Sequence, residues 1–280
     1  METLTGKSAV VTGAGSGIGF ALARRFVRDG MRVLLADVDR DALDAARRDL
    51  GPQATTQVTD VSDEHAVREL AERAFAELGT VHVLCNNAGV AGNSAAPVWE
   101  TPLETWQWVI GVNLMGVVHG LRAFVPRMLE TGDEGHIVNT ASLAGLLAFP
   151  AGGPYPASKH AAVVVTEVLA LQLARLGAPI GVSVLCPAWV NTRILDDERN
   201  RPDRLRVDTP TLPRALHDEL AVSMASTGLD PAVVADDVVE AILTNRFYVL
   251  PNTEWTPAIG ERAARIMAGG PIAPPPPPKP

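Results

Sequence analysis

The sequence predicts an α/β chain built as a single doubly wound domain, with a mostly parallel, seven-stranded sheet flanked by helices. Three observations predict it. Short runs rich in Val, Leu and Ile alternate with amphipathic stretches between about residues 8 and 250. The runs are apolar throughout, as expected of parallel strands covered on both faces. A glycine-rich turn joins the first run to the first amphipathic stretch. Strand–helix–strand repetition of this kind implies right-handed crossovers.

Residues 8–12 read as the first strand. Residues 18–28 read as a helix, with Ile18, Leu22 and Phe26 on one face. Strand 32–36, helix 41–50 and strand 55–58 follow. Helix 63–78 starts at a cap supplied by Ser62 or Asp63. Residues 81–85 form a strand, 103–129 one long helix bent near Pro126, and 136–140 a strand. Helix 154–176, strand 181–185, helix 232–244 and strand 247–250 complete the alternation.

Two segments break the rhythm. Residues 191–228 are long, charged and punctuated by proline, the pattern of a functional insertion, and are expected to form a substrate-binding insertion within a domain spanning 1–270. Residues 271–280 are almost all proline and are expected to be a flexible, extended polyproline tail. The formal net charge of −8 argues against a nucleic-acid partner. Cys85 and Cys186 lie far apart in apolar surroundings and read as buried thiols. The six histidines show no metal-ligand spacing, so no metal is expected. No signal peptide or membrane-length apolar run is read, which leaves a cytoplasmic protein with no membrane partner as the expectation.

The turn Gly13-Ala14-Gly15-Ser16-Gly17-Ile18-Gly19 sits between a strand and a helix. Glycines there allow a tight turn and close approach of a pyrophosphate to the free N–H groups of the helix start. Asp37 ends the second strand, where a carboxylate meets the adenine ribose hydroxyls and repels the extra phosphate of NADP. Neither Ser16 nor Val38 is a basic residue that would welcome that phosphate, so NAD is favoured over NADP. Asp60 and Val61 close the third strand, where they either contact the adenine or simply form a turn. Asn86, Asn87, Ala88 and Gly89 follow the fourth strand and suit a ribose-lined crevice.

Tyr155-Pro156-Ala157-Ser158-Lys159 is the most specific feature. Tyr155 and Lys159 lie four apart and share one helix face. A nearby ammonium stabilises a phenolate and lowers its pKa, which suits the pair to exchange a proton with a hydroxyl or carbonyl oxygen. With only two tyrosines and three lysines in the chain, chance adjacency is improbable. Ser142, just past the fifth strand, is placed to hold the substrate oxygen beside Tyr155. Asn113 lies inside the long helix, an unfavourable place for asparagine that points either to a task, such as kinking the helix and holding a water near Lys159, or to a polar contact between helices.

These motifs together resemble the short-chain dehydrogenase/reductase family, with its Rossmann-like fold, from about residue 4 to 250. The resemblance implies that Ser142 orients the substrate, Tyr155 transfers the proton and Lys159 binds the nicotinamide ribose. It implies too that Asn113 supports a proton relay through water, and that Val190 and Thr192, in the segment beginning at Pro187, contact the nicotinamide carboxamide and a phosphate. A homo-oligomer, tetramer or dimer, is also implied. Ala188 departs from the family, which often has glycine after this proline.

Val90, Leu143, Phe149 and Trp189 are expected to line a largely apolar pocket. The expected activity is interconversion of a secondary alcohol and a ketone on a medium-sized hydrophobic substrate. An NADPH-dependent 3-oxoacyl-thioester reductase of the same family is the nearest alternative, and Asp37 weighs against it. A non-catalytic nicotinamide-binding regulator is the other, and the complete set Asn113, Ser142, Tyr155 and Lys159 weighs against that.

Overall fold

The computed structural model describes residues 1–93, 95–150, 152–207 and 212–275. Seven parallel strands form one sheet: β1 (Ser8–Thr12), β2 (Arg32–Asp37), β3 (Ala54–Val58), β4 (Val83–Asn86), β5 (Gly135–Thr140), β6 (Ile180–Leu185) and β7 (Tyr248–Val249). Their order is β3-β2-β1-β4-β5-β6-β7. The helices are α1 (Gly17–Arg28), α2 (Arg40–Leu50), α3 (Glu64–Leu78), α4 (Leu103–Ile110), α5 (Gly116–Thr131), α6 (Pro154–Leu176), α7 (Arg214–Thr227), α8 (Pro231–Thr244) and α9 (Thr256–Met267).

Strand alternation sorts the core into two layers. Ala9, Val11, Val33, Leu35 and Cys85 face α1 and α8 through Leu22, Phe26, Val234, Val238 and Ile242. Val10, Leu34, Leu84 and Ile137 face the opposite way, toward Leu70 and Phe75 of α3, Phe124 and Met128 of α5, and Leu169 of α6. Burial on both faces is why these strands read as continuous apolar runs instead of alternating ones. The strand order reverses between β1 and β4, so the carboxyl ends of these two strands open a crevice.

Local chemistry sets the helix ends. Asp39 Oδ1 accepts from the Ala42 N–H at 3.0 Å, and Asp63 Oδ1 from the His65 N–H at 2.8 Å, so Asp63 is the cap of α3. The long helix read over 103–129 runs on to Thr131, but it leaves α geometry at Gly111–Met115, which forms a π turn between α4 and α5. Pro126 lies inside α5 without ending it. Beyond the alternation, the 191–228 segment contains short 3-10 turns at Ile194–Asn200 and Asp203–Leu205 and then α7. Residues 271–275 form neither helix nor strand, while 208–211 of the insertion and 276–280 of the proline tail lie outside the described residues.

The expectation about membrane-length segments needs correction. Leu103–Thr131 and Pro154–Leu176 are each long and apolar enough, by length and composition, to cross a bilayer. In the fold they are helices that cover the sheet, and their apolar residues include those that meet the β4–β6 face.

A chain of buried polar contacts ties β4 and β5 to α6: Asn86 Nδ2 donates to Asn139 Oδ1 at 2.8 Å, and Asn139 Nδ2 to Thr166 Oγ1 at 3.0 Å. Gly120 of α5 lies directly on Asn86, and a Cβ there would stand 2.1 Å from Asn86 Oδ1. Glycine in a helix interior is otherwise unfavourable. Gly120→Ala is therefore expected to lower unfolding stability by about 1–3 kcal/mol, despite the better helix propensity of alanine. Urea denaturation would test this, and unchanged or increased stability would contradict it.

Candidate active site

β1 ends at Thr12, and the chain turns sharply through Gly13 (φ +66°) and Gly17 (φ +55°) into α1. Both angles belong to the region glycine enters at no steric cost. The turn packs on its neighbours with no room for side chains. A Cβ on Gly13 would stand 2.8 Å from Ala88 Cα, one on Gly15 2.9 Å from Asp37 Oδ2, and one on Gly17 3.1 Å from Thr192 Cγ2. The loop after β6 thus reaches the start of α1 through Thr192. Ser16 makes no side-chain hydrogen bond as cap of α1, which leaves the helix start open to an anion.

Asp37 is anchored on both oxygens. Oδ2 accepts from the Gly15 N–H at 2.9 Å and Oδ1 from the Asp39 N–H at 3.0 Å. These bonds fix a carboxylate beside the glycine turn. Asp60 is a turn residue whose Oδ1 accepts from the Ser62 N–H at 2.9 Å and the Ser62 hydroxyl at 2.7 Å. Val61 is buried in the core on the α5 side, and its carbonyl accepts from His119 Nδ1 at 3.0 Å. Asp60 thus braces the turn, and Val61 packs in the core.

The carboxyl ends of β1, β4 and β5 are stitched together by two threonines that sequence reasoning did not select. Thr12 Oγ1 accepts from the N–H groups of Asn87 and Ala88, at 2.9 and 3.1 Å. Asn87 Nδ2 donates to the Thr12 carbonyl at 3.0 Å, and Thr140 Oγ1 donates to Asn87 Oδ1 at 3.2 Å. A hydroxyl at the last position of an apolar strand was the available signal. Asn86, by contrast, points into the buried polar chain described above.

The proton-transfer candidates converge at the end of β5. Pro154 at the start of α6 leaves Tyr155 in the first helical turn, and the Ser142 hydroxyl faces the Tyr155 phenol and favours its ionised form. Ser142 Oγ also donates to the Pro187 carbonyl at 3.3 Å. Lys159, 2% exposed, donates from Nζ to the Thr140 carbonyl at 3.0 Å and lies 5.6 Å from the centre of the Tyr155 ring. Burial lowers its pKa to about 8. The phenol behaves differently from the sequence expectation: burial pushes its pKa up against the opposing influence of the Ser142 hydroxyl, and the charge of Asp197 adds to the rise. The Lys159 ammonium is turned to a backbone carbonyl, so desolvation outweighs its attraction here.

That desolvation has a consequence for stability. The folded chain holds fewer protons at Lys159 than the unfolded chain between about pH 8 and 10.5. The burial penalty is complete below pH 8 and is relieved as pH rises toward 10.5. Lys159→Met is expected to stabilise the protein at pH 7 by a net ~1–2 kcal/mol after the loss of the Thr140 bond, or about 2–8 °C in Tm. The gain should fade above pH 8. Thermal unfolding of both proteins at pH 7 and pH 10 tests the sign, and a less stable variant at pH 7 would overturn it.

Asn113 lies in the π turn and is completely buried. Its Oδ1 accepts from the Val90 N–H at 2.8 Å, and its Nδ2 donates to the Val90 carbonyl at 2.9 Å and Ser158 Oγ at 3.1 Å. The side chain thus holds the loop after β4 against α6. Gly89 sits where Asn113 and Lys159 meet, since a Cβ there would stand 3.3 Å from Lys159 Nζ and 3.4 Å from Asn113 Oδ1.

The four apolar residues selected for the pocket divide into two groups. Val90 is buried with Trp108, Val109 and Leu205 beside Tyr155. Leu143 is buried with Leu147 and Ala258, against Ala188, Trp255 and Ile259. Phe149 and Trp189 are partly exposed, and the Phe149 ring meets Trp255 edge-on at 6.2 Å. The stretch around α9, read as no element in the sequence, therefore supplies part of this wall. Asn252 Oδ1 fixes the loop after β6 by accepting from the Ala188 N–H at 2.9 Å. Val190 turns its side chain into the core and forms a bridge with Leu229. Among the described residues, no three His, Cys, Asp or Glu side chains gather as a metal site.

The 191–205 segment carries two further buried groups that sequence reasoning missed. Asp197, 3% exposed, has its pKa raised to about 6 by burial, although it accepts two backbone N–H groups. Arg201 lies 4.3 Å over the Trp108 ring, donates to the Leu205 carbonyl at 2.9 Å and pairs with Glu198 at 2.8 Å. In the sequence both stand in a run of charges that reads as a solvated face.

A glycine turn at the switch point of a doubly wound sheet, with a Ser–Tyr–Lys group beside it, defines a nucleotide-dependent oxidoreductase site. The chain belongs to the short-chain dehydrogenase family, whose pattern it matches over residues 7–203. It is 38% identical over 258 residues to the 1-deoxy-11-beta-hydroxypentalenate dehydrogenase of Streptomyces avermitilis, covering 91% of this chain and 88% of that one. The crystal structure of a short-chain dehydrogenase/reductase from Burkholderia phymatum in complex with NAD is 42% identical, with a TM-score of 0.92 over 98% of this chain and 100% of that one. An actinorhodin polyketide ketoreductase structure with NADPH is 31% identical, with a TM-score of 0.73 over 89% of this chain and 97% of that one. The chain is therefore an oxidoreductase that acts on CH–OH groups of a small molecule.

Proposed function

We propose that the protein interconverts a secondary alcohol and a ketone on a medium-sized hydrophobic substrate, using NAD(H). The observation that carries this reading is the Ser142 hydroxyl beside the Tyr155 phenol, with Lys159 behind it, at the end of β5 beside the crevice between β1 and β4. The glycine turn fits a dinucleotide: its close packing leaves no place for a Cβ at Gly13, Gly15 or Gly17, and the start of α1 carries no side-chain cap. Gly13 to Gly19 and Thr192 would hold the phosphates, Asp37 the adenine ribose, Asp60 and Val61 the adenine, Asn87 to Gly89 and Lys159 the nicotinamide ribose, and Pro187 and Val190 the nicotinamide. When bound, the nicotinamide supplies hydride transfer to and from the carbinol carbon. Ser142 holds the substrate oxygen, and Tyr155 takes or returns its proton. Lys159 supports Tyr155, and Asn113 keeps α6 and the loop after β4 in register for proton relay.

The anchored Asp37 carboxylate supports NAD over NADP, because a 2′-phosphate there would face a fixed negative charge. The NAD complex of the 42% identical relative agrees with this reading. The partly exposed Phe149 and Trp189, with the buried Val90 and Leu143 nearby, support a hydrophobic substrate. The named hydroxypentalenate dehydrogenase relative supports an alcohol on a carbon skeleton of that kind. Val164, Val168 and Leu171 form an exposed apolar face on α6, which supports a homo-oligomer built through that helix. The test is reduced-nicotinamide absorbance with NAD or NADP and a panel of hydrophobic secondary alcohols, then with ketones and reduced cofactor. Turnover confined to small charged hydroxy acids would overturn the substrate assignment.

A further inference from the structure

The loop after β4 has an unusual backbone. Gly92 (φ +71°) and Asn93 (φ +35°) adopt left-handed conformations in succession. Such a loop turns consecutive N–H groups toward one point and forms an anion-binding concavity. Asn93 is not a glycine, so its conformation carries strain that the surroundings must offset. Gly92 is also tightly placed, since a Cβ there would stand 2.4 Å from Val109 Cγ2 of α4. The concavity is filled from within the chain. Asp197 Oδ2 accepts from the Ala91 N–H at 2.6 Å and the Gly92 N–H at 2.8 Å. Asp197 Oδ1 accepts from Asn93 Nδ2 at 2.6 Å, and the same nitrogen donates to the Leu195 carbonyl at 2.6 Å.

We propose that Asp197 is a positioning residue that latches the 191–205 segment over the substrate crevice by filling the amide concavity of residues 91–93. The inference rests on the reading of that crevice as the active site. The latch joins two parts of the wall that are far apart in the chain. Val90, next to the concavity, is held by Asn113 and packs beside Tyr155. On the other side, Thr192 rests against Gly17 of the glycine turn. Asp197 lies five residues beyond Thr192 in the chain and ties the segment back to the loop that carries Val90. Arg201 reinforces it by stacking on Trp108 of α4. A latch of this kind governs how substrate is enclosed and leaves the proton-transfer groups themselves unchanged.

The test compares Asp197→Ala, which removes the acceptor, with Asp197→Asn, which keeps one carbonyl oxygen for the Ala91 and Gly92 amides. Asp196→Ala, at the exposed neighbouring carboxylate, is the control. Hydrogen exchange on the ligand-free protein reads the latch without reference to turnover. In Asp197→Ala, exchange in peptides covering 90–93 and 191–205 should quicken about 10- to 100-fold, the range of a lost hydrogen bond to a charged group, while the β1, β4 and β5 peptides keep their protection. KM for the alcohol should rise about tenfold with kcat changed less than about threefold. Asp197→Asn should recover most of both effects. If Asp197→Ala folds poorly, Asn93→Gly, which tolerates the positive φ and deletes the bridging amide, should quicken exchange in 191–200 by a smaller factor. Unchanged exchange in both segments, faster exchange throughout the sheet, or a fall in kcat at constant KM would each overturn the latch. Absence of turnover in the parent protein would strike the activity proposal alone, because the exchange result stands without it.

Discussion

Tyr155→Phe is expected to lower kcat/KM for the alcohol by about 10²- to 10⁴-fold, the usual contribution of a positioned acid–base group. Phenylalanine keeps the ring that lies 5.6 Å from Lys159 Nζ and borders the Val90 cluster. It deletes only the phenol oxygen that the Ser142 hydroxyl faces. Reduced-cofactor affinity should therefore stay within about twofold, measured by fluorescence titration, while steady-state rates collapse. Retention of more than a tenth of the activity would place the proton transfer elsewhere. The raised phenol pKa adds a condition: in the ligand-free protein the side chain is a protonated donor at neutral pH, ready to give a proton to a carbonyl. In the direction of alcohol oxidation, the rate should rise with pH as the phenol becomes able to accept one.

The second large effect concerns cofactor choice. In the double variant Asp37→Ser, Val38→Arg, the ratio of kcat/KM for NADP to that for NAD should rise about a hundredfold or more. Asp37 cannot swing away from a 2′-phosphate without giving up its bonds from the Gly15 and Asp39 N–H groups. Like charges held together in this way cost several kcal/mol. Val38 is exposed at the same strand end, so an arginine there can reach the phosphate without disturbing the core. Measuring both cofactors at one alcohol concentration decides the matter. An unchanged ratio would remove selectivity from Asp37 and assign it to another part of the nucleotide site.

The two variants probe features of different visibility in the chain. The Tyr155–Lys159 spacing and the start of α6 at Pro154 were legible because helical periodicity and the tolerance of proline at a first turn are local rules. The seven parallel strands were legible as apolar runs whose burial on both faces leaves a compositional trace. The π turn at Gly111–Met115 left none: Asn113 looked costly in a helix, but its partners Val90 and Ser158 come from another loop and another helix. Helices α7 and α9 were missed for a related reason. Each buries very little of itself, chiefly Met224 in α7 and Ala258 in α9.

Asp197 is the sharpest case. Asp196, Asp197 and Glu198 stand together in the chain, and nothing local distinguishes the middle one. Its burial depends on amides 106 and 105 residues away. The pKa of Tyr155 has the same character, since its direction is decided by burial and by the Asp197 charge instead of by the lysine four residues along. The sequence by itself determined the alternation of strands and helices around the sheet, the glycine turn and the sharing of one helix face by Tyr155 and Lys159, because each is written in spacing over a few residues. Only the tertiary structure decided which charge is buried, which amides it meets and in which direction the phenol is shifted. Desolvation and long-range hydrogen bonding depend on what the fold brings against a residue, and the residue's neighbours in the chain do not reveal it.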